Sequence, residues 1–260
     1  MEEQINRLEF KNTVDHYRKE PHLDWRLPPD EKLGFSGIFP IPIATFYYPY
    51  NDQILNAVKC IISDVEAFAP EKCRESGIPV VKSNFGVGDK LKHYYNTSPQ
   101  DLFKENHSFF HGLQRWIEHR SLYFINEVMG YYADDVIITS SWINVANEGA
   151  SQYLHCHSNS FVSGVYYVNF EEDHAPLQFI NPRDPDISTT SILTQKPRKA
   201  TPYNMRSASV PIKGGDVVLF PSWLNHEYVD NKRDGRISIA FNVVPNPIDN
   251  GAYQLRIDND

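Results

Sequence analysis

Basic charge, cysteine and long apolar runs are all in short supply in this 260-residue chain. Lys and Arg total 25 against 33 Asp and Glu, for a formal charge of −8. A nucleic-acid-binding face built from a general excess of cations is therefore excluded, and no nucleic-acid partner is expected. Three cysteines, Cys60, Cys73 and Cys156, cannot all pair with one another and match no disulfide framework. No apolar run approaches the ~20 residues needed to cross a bilayer. The first residues (MEEQINRLEF) are charged and contain no apolar signal region. The expectation is a protein of a reducing, cytoplasmic compartment with no membrane partner.

Aromatic residues and prolines are plentiful: 15 Tyr, 15 Phe and 18 Pro. Short β-branched and aromatic runs, broken by Pro, Gly, Asn and Asp, favour strands. Residues 1–35 are polar, carry Pro21, Pro28 and Pro29, and read as an N-terminal extension. Residues 36–260 read as a single domain. Ile38–Tyr48 has the prolines of an edge strand. Residues 51–68 place Ile54, Leu55, Val58, Ile61, Ile62 and Val65 on one helical face. A second helical stripe within residues 101–129 holds Phe103, Phe110, Leu113, Trp116, Ile117, Phe124, Ile125 and Val128, with Gly130 as its stop. It is read as core packing, as is Phe46-Tyr47-Tyr48. Val80–Leu91 contains a further strand signal and a Gly86–Gly88 turn.

From Asp135 the period becomes two-fold. Eight strands are predicted: Val136–Val145, Tyr153–His157, Phe161–Phe170, Pro176–Ile180, Ser207–Pro211, Asp216–Phe220, His226–Val229 and Arg236–Val244. Turn signals at Asn147-Glu148-Gly149, Asp184-Pro185, Gly214-Gly215 and Asp234-Gly235 separate them. The fold class expected is mainly β with flanking helices, around a jelly-roll, cupin-like double-stranded β-helix. The polar stretch from about 184 to 204 has the character of a lid.

The chemistry gathers in this second half. On a strand, His155 and His157 project to the same face, so both imidazoles can reach one ion while Cys156 points away as a small buried hydrophobe. His226, 71 positions on, can supply a third imidazole from a different strand. Histidines alone suit iron, zinc, copper or nickel. Arg236 and Ser238 follow across the Asp234-Gly235 turn, and a hairpin of that length would return them beside His226. A guanidinium fork with a hydroxyl beside it matches a carboxylate. Asn144 and Tyr153 sit on strands expected to line the barrel and are candidates to hydrogen-bond the same ligand. Arg183 could receive an acidic substrate, but a surface-loop position is the better account of it.

These residues carry a resemblance. His155-x-His157, His226, and Arg236-x-Ser238 ten residues later, with Trp142-x-Asn144, Ser163-Gly164-Val165-Tyr166-Tyr167 and Phe220-Pro221-Ser222-Trp223, resemble the iron(II)- and 2-oxoglutarate-dependent oxygenases over roughly residues 136–245. The resemblance implies Fe(II) as the metal and 2-oxoglutarate as co-substrate, its distal carboxylate on Arg236 and Ser238. It implies O2 and a small-molecule substrate as partners, with hydroxylation and release of succinate and CO2. The common facial triad has two histidines and a carboxylate, whereas position 157 is His. Either His157 is a true ligand, or one histidine stands back and a carboxylate arrives from elsewhere. Two other readings stay open: a three-histidine cupin-like dioxygenase that does not use 2-oxoglutarate, and a metal- or ligand-binding barrel without turnover.

Overall fold

Alternating and continuous apolar runs in the second half of the chain become the strands of two facing sheets. The computed structural model describes residues 40–67, 90–94, 101–105, 107–183, 201 and 204–257. The expected extension over 1–35, the Gly86–Gly88 turn, Cys73 and nearly all of the 184–204 stretch lie outside them.

In chain order the described elements are β1 (Ala44–Tyr47), α1 (Asn51–Ala67), β2 (Leu91–Tyr94), α2 (Leu102–Glu105) and α3 (His107–Tyr123). The chain then runs through β3 (Asp135–Ala146), β4 (Gln152–His155), β5 (Val162–Asn169), β6 (Gln178–Ile180), β7 (Ser207–Ala208), β8 (Asp216–Pro221), β9 (His226–Tyr228) and β10 (Arg236–Asn246). A short hairpin of β11 (Ile248–Asp249) and β12 (Gln254–Leu255), not anticipated from the sequence, ends the described chain. All eight predicted strands are present, with shifted ends. The major sheet has the order β1-β8-β5-β10-β3-β2 and the minor sheet β4-β9-β6-β7, every pairing antiparallel. This is the double-stranded β-helix expected, with β1 at the sheet edge where its neighbouring prolines can be tolerated.

The two faces of the major sheet bury different things. Its outer face packs Ile143, Tyr166, Val168, Leu219, Ile239 and Phe241 against Ile54 and Val58 of α1 and Phe110, Leu113 and Ile117 of α3. The helical stripe is therefore core, and it ends in a π-helical turn over Phe124–Val128, where Met129 N–H donates to Phe124 O at 2.9 Å. Gly130 follows at φ +73°, the left-handed stop that its sequence position predicted. On the inner face, Val165, Tyr167, Val218 and Phe220 meet Phe179, Leu224 and Tyr228 of the minor sheet and its loops.

Gly164 on β5 is required by a close approach. It lies opposite Phe241, and a Cβ there would sit 2.2 Å from the Phe241 ring and 2.8 Å from Leu219.

One connection differs from expectation. β9 and β10 do not form a hairpin: β9 belongs to the minor sheet and β10 to the major one. The seven-residue span is long enough to cross from one layer to the other, and each strand finds its hydrogen bonds elsewhere. Arg236 thus faces His226 across the sandwich, not from alongside.

Candidate active site

Antiparallel β4 and β9 bring the histidines together. His155 lies opposite His226 in the register, and β4 ends there, so His157 belongs to the following loop and not to a strand. Its backbone N–H is held instead by Ser222 O at 3.0 Å. Ring centroids are 4.3 Å apart for His155 and His226, and 5.1 Å for each pair that includes His157. One ring nitrogen from each of the three lies within 4.8 Å of the others.

Two of the rings are oriented by the backbone. His155 Nδ1 is 2.7 Å from Tyr153 O, and His226 Nδ1 is 2.8 Å from Leu224 O. A carbonyl can only accept, so both Nδ1 atoms carry the proton and both Nε2 lone pairs are available for a metal. Burial lowers all three side chains below the usual imidazole range, His157 to about 4 and His226 to about 3; the nearby His155 pushes both the same way. At neutral pH the cluster is uncharged, the state in which imidazole binds metal.

The cavity around this cluster has a volume of about 700 Å³. Arg236 lines it and is only 1% exposed. Its Nε donates to Ala175 O at 2.9 Å and its Nη1 approaches Ser238 Oγ at 3.4 Å. The guanidinium lies 4.3 Å from the Tyr228 ring centroid and 5.4 Å from that of Tyr167. Among the described residues no carboxylate pairs with it. A buried cation with no anion is expensive unless a ligand supplies one. The hydroxyl of Tyr228 is likewise buried without a hydrogen-bond partner among the described residues, and burial raises its pKa against the opposing pull of Arg236, leaving it a neutral donor. Arg236, Ser238 and Tyr228 together bring donors whose chemistry matches an anionic oxygen pair.

Asn144 is paired with Ser238 across β3 and β10 and lines the same cavity. Tyr153 is also at the cavity but is 61% exposed, and its carbonyl is what orients His155. Cys156 is exposed and lines the cavity, not buried and pointing away as expected, because the strand has already ended at His155. Glu227, the neighbour of His226, is absent from the cavity wall, and the described residues that could hold a metal are the three histidines alone. Arg183 is exposed on its loop.

Among the cavity residues that sequence reasoning missed are Tyr228, His93, Gln152 and Asp101. Tyr228 was available by two-residue alternation from His226. The others had no such signal. His93 faces the cavity because β2 pairs it with Asn144, a non-local contact; burial lowers it to about 4, against a hydrogen bond to Gln152 that raises it.

The family model described as a putative 2OG-Fe(II) oxygenase matches residues 140–242, from within β3 to within β10. Over that segment the chain is similar to the iron(II)- and 2-oxoglutarate-dependent oxygenases. Solved structures agree in fold. The non-haem α-ketoglutarate-dependent epimerase SnoN from nogalamycin biosynthesis is 10% identical, with 80% of this chain and 79% of that one covered and a TM-score of 0.51. HygX from Streptomyces hygroscopicus, solved with nickel and 2-oxoglutarate, is 12% identical over 79% of this chain and 83% of its own, with a TM-score of 0.50. The chain spans only 55% of the length of a Burkholderia pseudomallei oxygenase to which it is 14% identical, at a TM-score of 0.37. No curated protein matches in sequence.

Proposed function

We propose that the protein is an Fe(II)- and 2-oxoglutarate-dependent dioxygenase, acting as a hydroxylase on a small-molecule or amino-acid-like substrate. The observation that carries this reading is a single one. Three neutral imidazoles converge on one point of a cavity whose wall also holds a buried, carboxylate-free arginine.

His155, His157 and His226 would hold the metal, the first and last through Nε2. Bound there, iron(II) with 2-oxoglutarate and O2 supplies an oxidising equivalent, with succinate and CO2 as by-products. The chain's own part is positional. Arg236 presents its fork to the distal carboxylate of the co-substrate, and the Ser238 and Tyr228 hydroxyls add donors to it. Asn144, and Tyr153 at the cavity's exposed edge, are assigned to the same ligand. A third imidazole in place of a carboxylate leaves the bound metal one positive charge richer, which strengthens its hold on an anionic chelating ligand. Residues 36–260 form the oxygenase domain in this reading, with 1–35 as an extension and the cytoplasm as the place of action. Among the described residues no helix is long and apolar enough to cross a membrane.

The test is anaerobic. Fe(II) protein mixed with 2-oxoglutarate should develop a weak visible charge-transfer band, absent from His226→Ala. In air, slow 2-oxoglutarate decarboxylation should yield succinate. Oxygen uptake without succinate would point to a three-histidine dioxygenase that dispenses with 2-oxoglutarate. Neither band nor metal retention would end the assignment.

A further inference from the structure

The floor of the cavity extends well past the histidines. On β10 the cavity-facing residues run Arg236, Ser238, Ala240 and Asn242; on β3, Asn144, Trp142 and Ser140 lie opposite the last three. Arg236 and Asn242 are six residues apart, about 20 Å at the ~3.4 Å rise of an antiparallel strand. Trp142 stands between these ends, its ring 5.8 Å from that of His157. A five-carbon diacid on Arg236 occupies only the near part. Beyond Trp142 the described wall carries polar side chains: Thr139, Ser140, Asn242, Asp101 and Lys104.

Three features of this far lobe go beyond what packing explains. The register of β10 on β3 slips after Asn242, leaving Thr139 without a partner, so the successive residues Thr139 and Ser140 both reach the cavity. A bulge is the usual device for re-aiming a side chain in this way. Asn242 is then fixed on both sides: its Oδ1 accepts from Ser163 Oγ at 2.8 Å, and its Nδ2 donates to Ser140 Oγ at 3.0 Å. Because Ser140 Oγ accepts that bond, its own proton is left to donate to a ligand. Finally, Asp101 is only 4% exposed. Its Oδ1 accepts from the Phe103 and Lys104 N–H groups at 3.0 and 3.1 Å and from Ser141 Oγ at 2.9 Å. Those bonds cap α2 and account for one oxygen. Oδ2 is equally buried and has no hydrogen-bond partner among the described residues.

We infer that the far lobe seats the polar group of the substrate, and that this group is an ammonium bound to Asp101 Oδ2. An orphan carboxylate oxygen in a buried wall requires a donor, and its charge is answered by a cation better than by a hydroxyl. A carboxylate would be repelled there. Lys104 is the one cation on the described wall of the lobe; it is exposed and forms no ion pair with Asp101 among the described residues. The inference rests on the oxygenase reading only in giving the Arg236 end to the co-substrate.

The test uses the full-length, metal-free protein and three matched probes: benzylammonium, benzyl alcohol and benzoate, titrated by ligand-observed NMR at neutral pH. Wild type should bind benzylammonium at least fivefold more tightly than benzyl alcohol. In Asp101→Asn, whose amide oxygen can still cap α2, the ratio should fall towards one. Equal binding of the two probes by wild type overturns the inference with no variant needed, as does a ratio unchanged in folded Asp101→Asn. The Fe(II)–2-oxoglutarate band is measured separately. An ammonium preference without that band would sink the oxygenase reading alone; the band without the preference would sink this inference alone.

Discussion

Replacing Arg236 by methionine keeps most of the side-chain volume while removing the charge and the fork. In the ligand-free protein the change has opposing effects. It leaves the buried Ala175 carbonyl without its donor, a cost of about 1–3 kcal/mol. It also removes a desolvated cation that no described carboxylate compensates, which offsets much of that cost. The unliganded variant should therefore melt within a few degrees of wild type. Ligand binding behaves differently. Truncating one side of a buried, hydrogen-bonded charge pair costs about 2–5 kcal/mol, so 2-oxoglutarate affinity should fall by roughly 30-fold to more than 1,000-fold. At a concentration 100 times its Kd, a ligand stabilises by ~2.7 kcal/mol. For a domain of this size that is a rise of about 5–11 °C in Tm. Differential scanning fluorimetry with and without 2-oxoglutarate, in the presence of Fe(II) under argon, should show this rise in wild type and almost none in Arg236→Met. Arg236→Lys should recover only part of it, since an ammonium cannot make the two-pronged contact. A methionine variant stabilised by 2-oxoglutarate as strongly as wild type would refute the carboxylate-receptor assignment.

Three further outcomes are expected. Because burial depresses the imidazoles of His93, His157 and His226, the metal-free protein should be most stable above pH 6.5; its urea midpoint should fall as pH drops from there towards about 4 to 3, where the folded-state groups finally protonate. A flat midpoint across that window would show that these side chains are solvated. Gly164→Ala should lose about 1–3 kcal/mol by chemical denaturation, since its methyl group would overlap the Phe241 ring and Leu219. Asn231→Ala should lose about 2–4 kcal/mol, because Asn231 is fully buried, donates to Ala146 O and Asn147 O, and accepts from Ala175 N. As Ala175 also holds Arg236, the same variant should weaken 2-oxoglutarate binding measurably by calorimetry, although Asn231 never touches the ligand.

What the sequence made legible was whatever repeats at short range. Alternation exposed all eight later strands, the 3.6-residue stripe exposed α1 and α3, and Gly130 marked the helix stop. The pairing of His155 and His157 on one side survived although the strand ends between them, since the loop after His155 is held by Ser222. What remained hidden depends on register between distant segments. His93 reaches the cavity only because β2 pairs with β3, and Asp101 only because α2 abuts Ser141. The assumed β9–β10 hairpin failed for a related reason: a turn of suitable length says nothing about which sheet claims the next strand. Cys156 was misjudged by extending β4 one turn of the pleat too far.

Placing His226 and Arg236 on opposite layers makes the site a clasp between them. The minor sheet is short-stranded, from two to four residues each, and among the described residues no ladder of strand pairing joins it to the broad sheet beneath. A diacid gripped at one end by β10 and at the other by a metal on β4 and β9 would rivet the two layers together. Co-substrate loading should then tighten the whole upper leaf, slowing amide exchange in strands that no ligand atom touches.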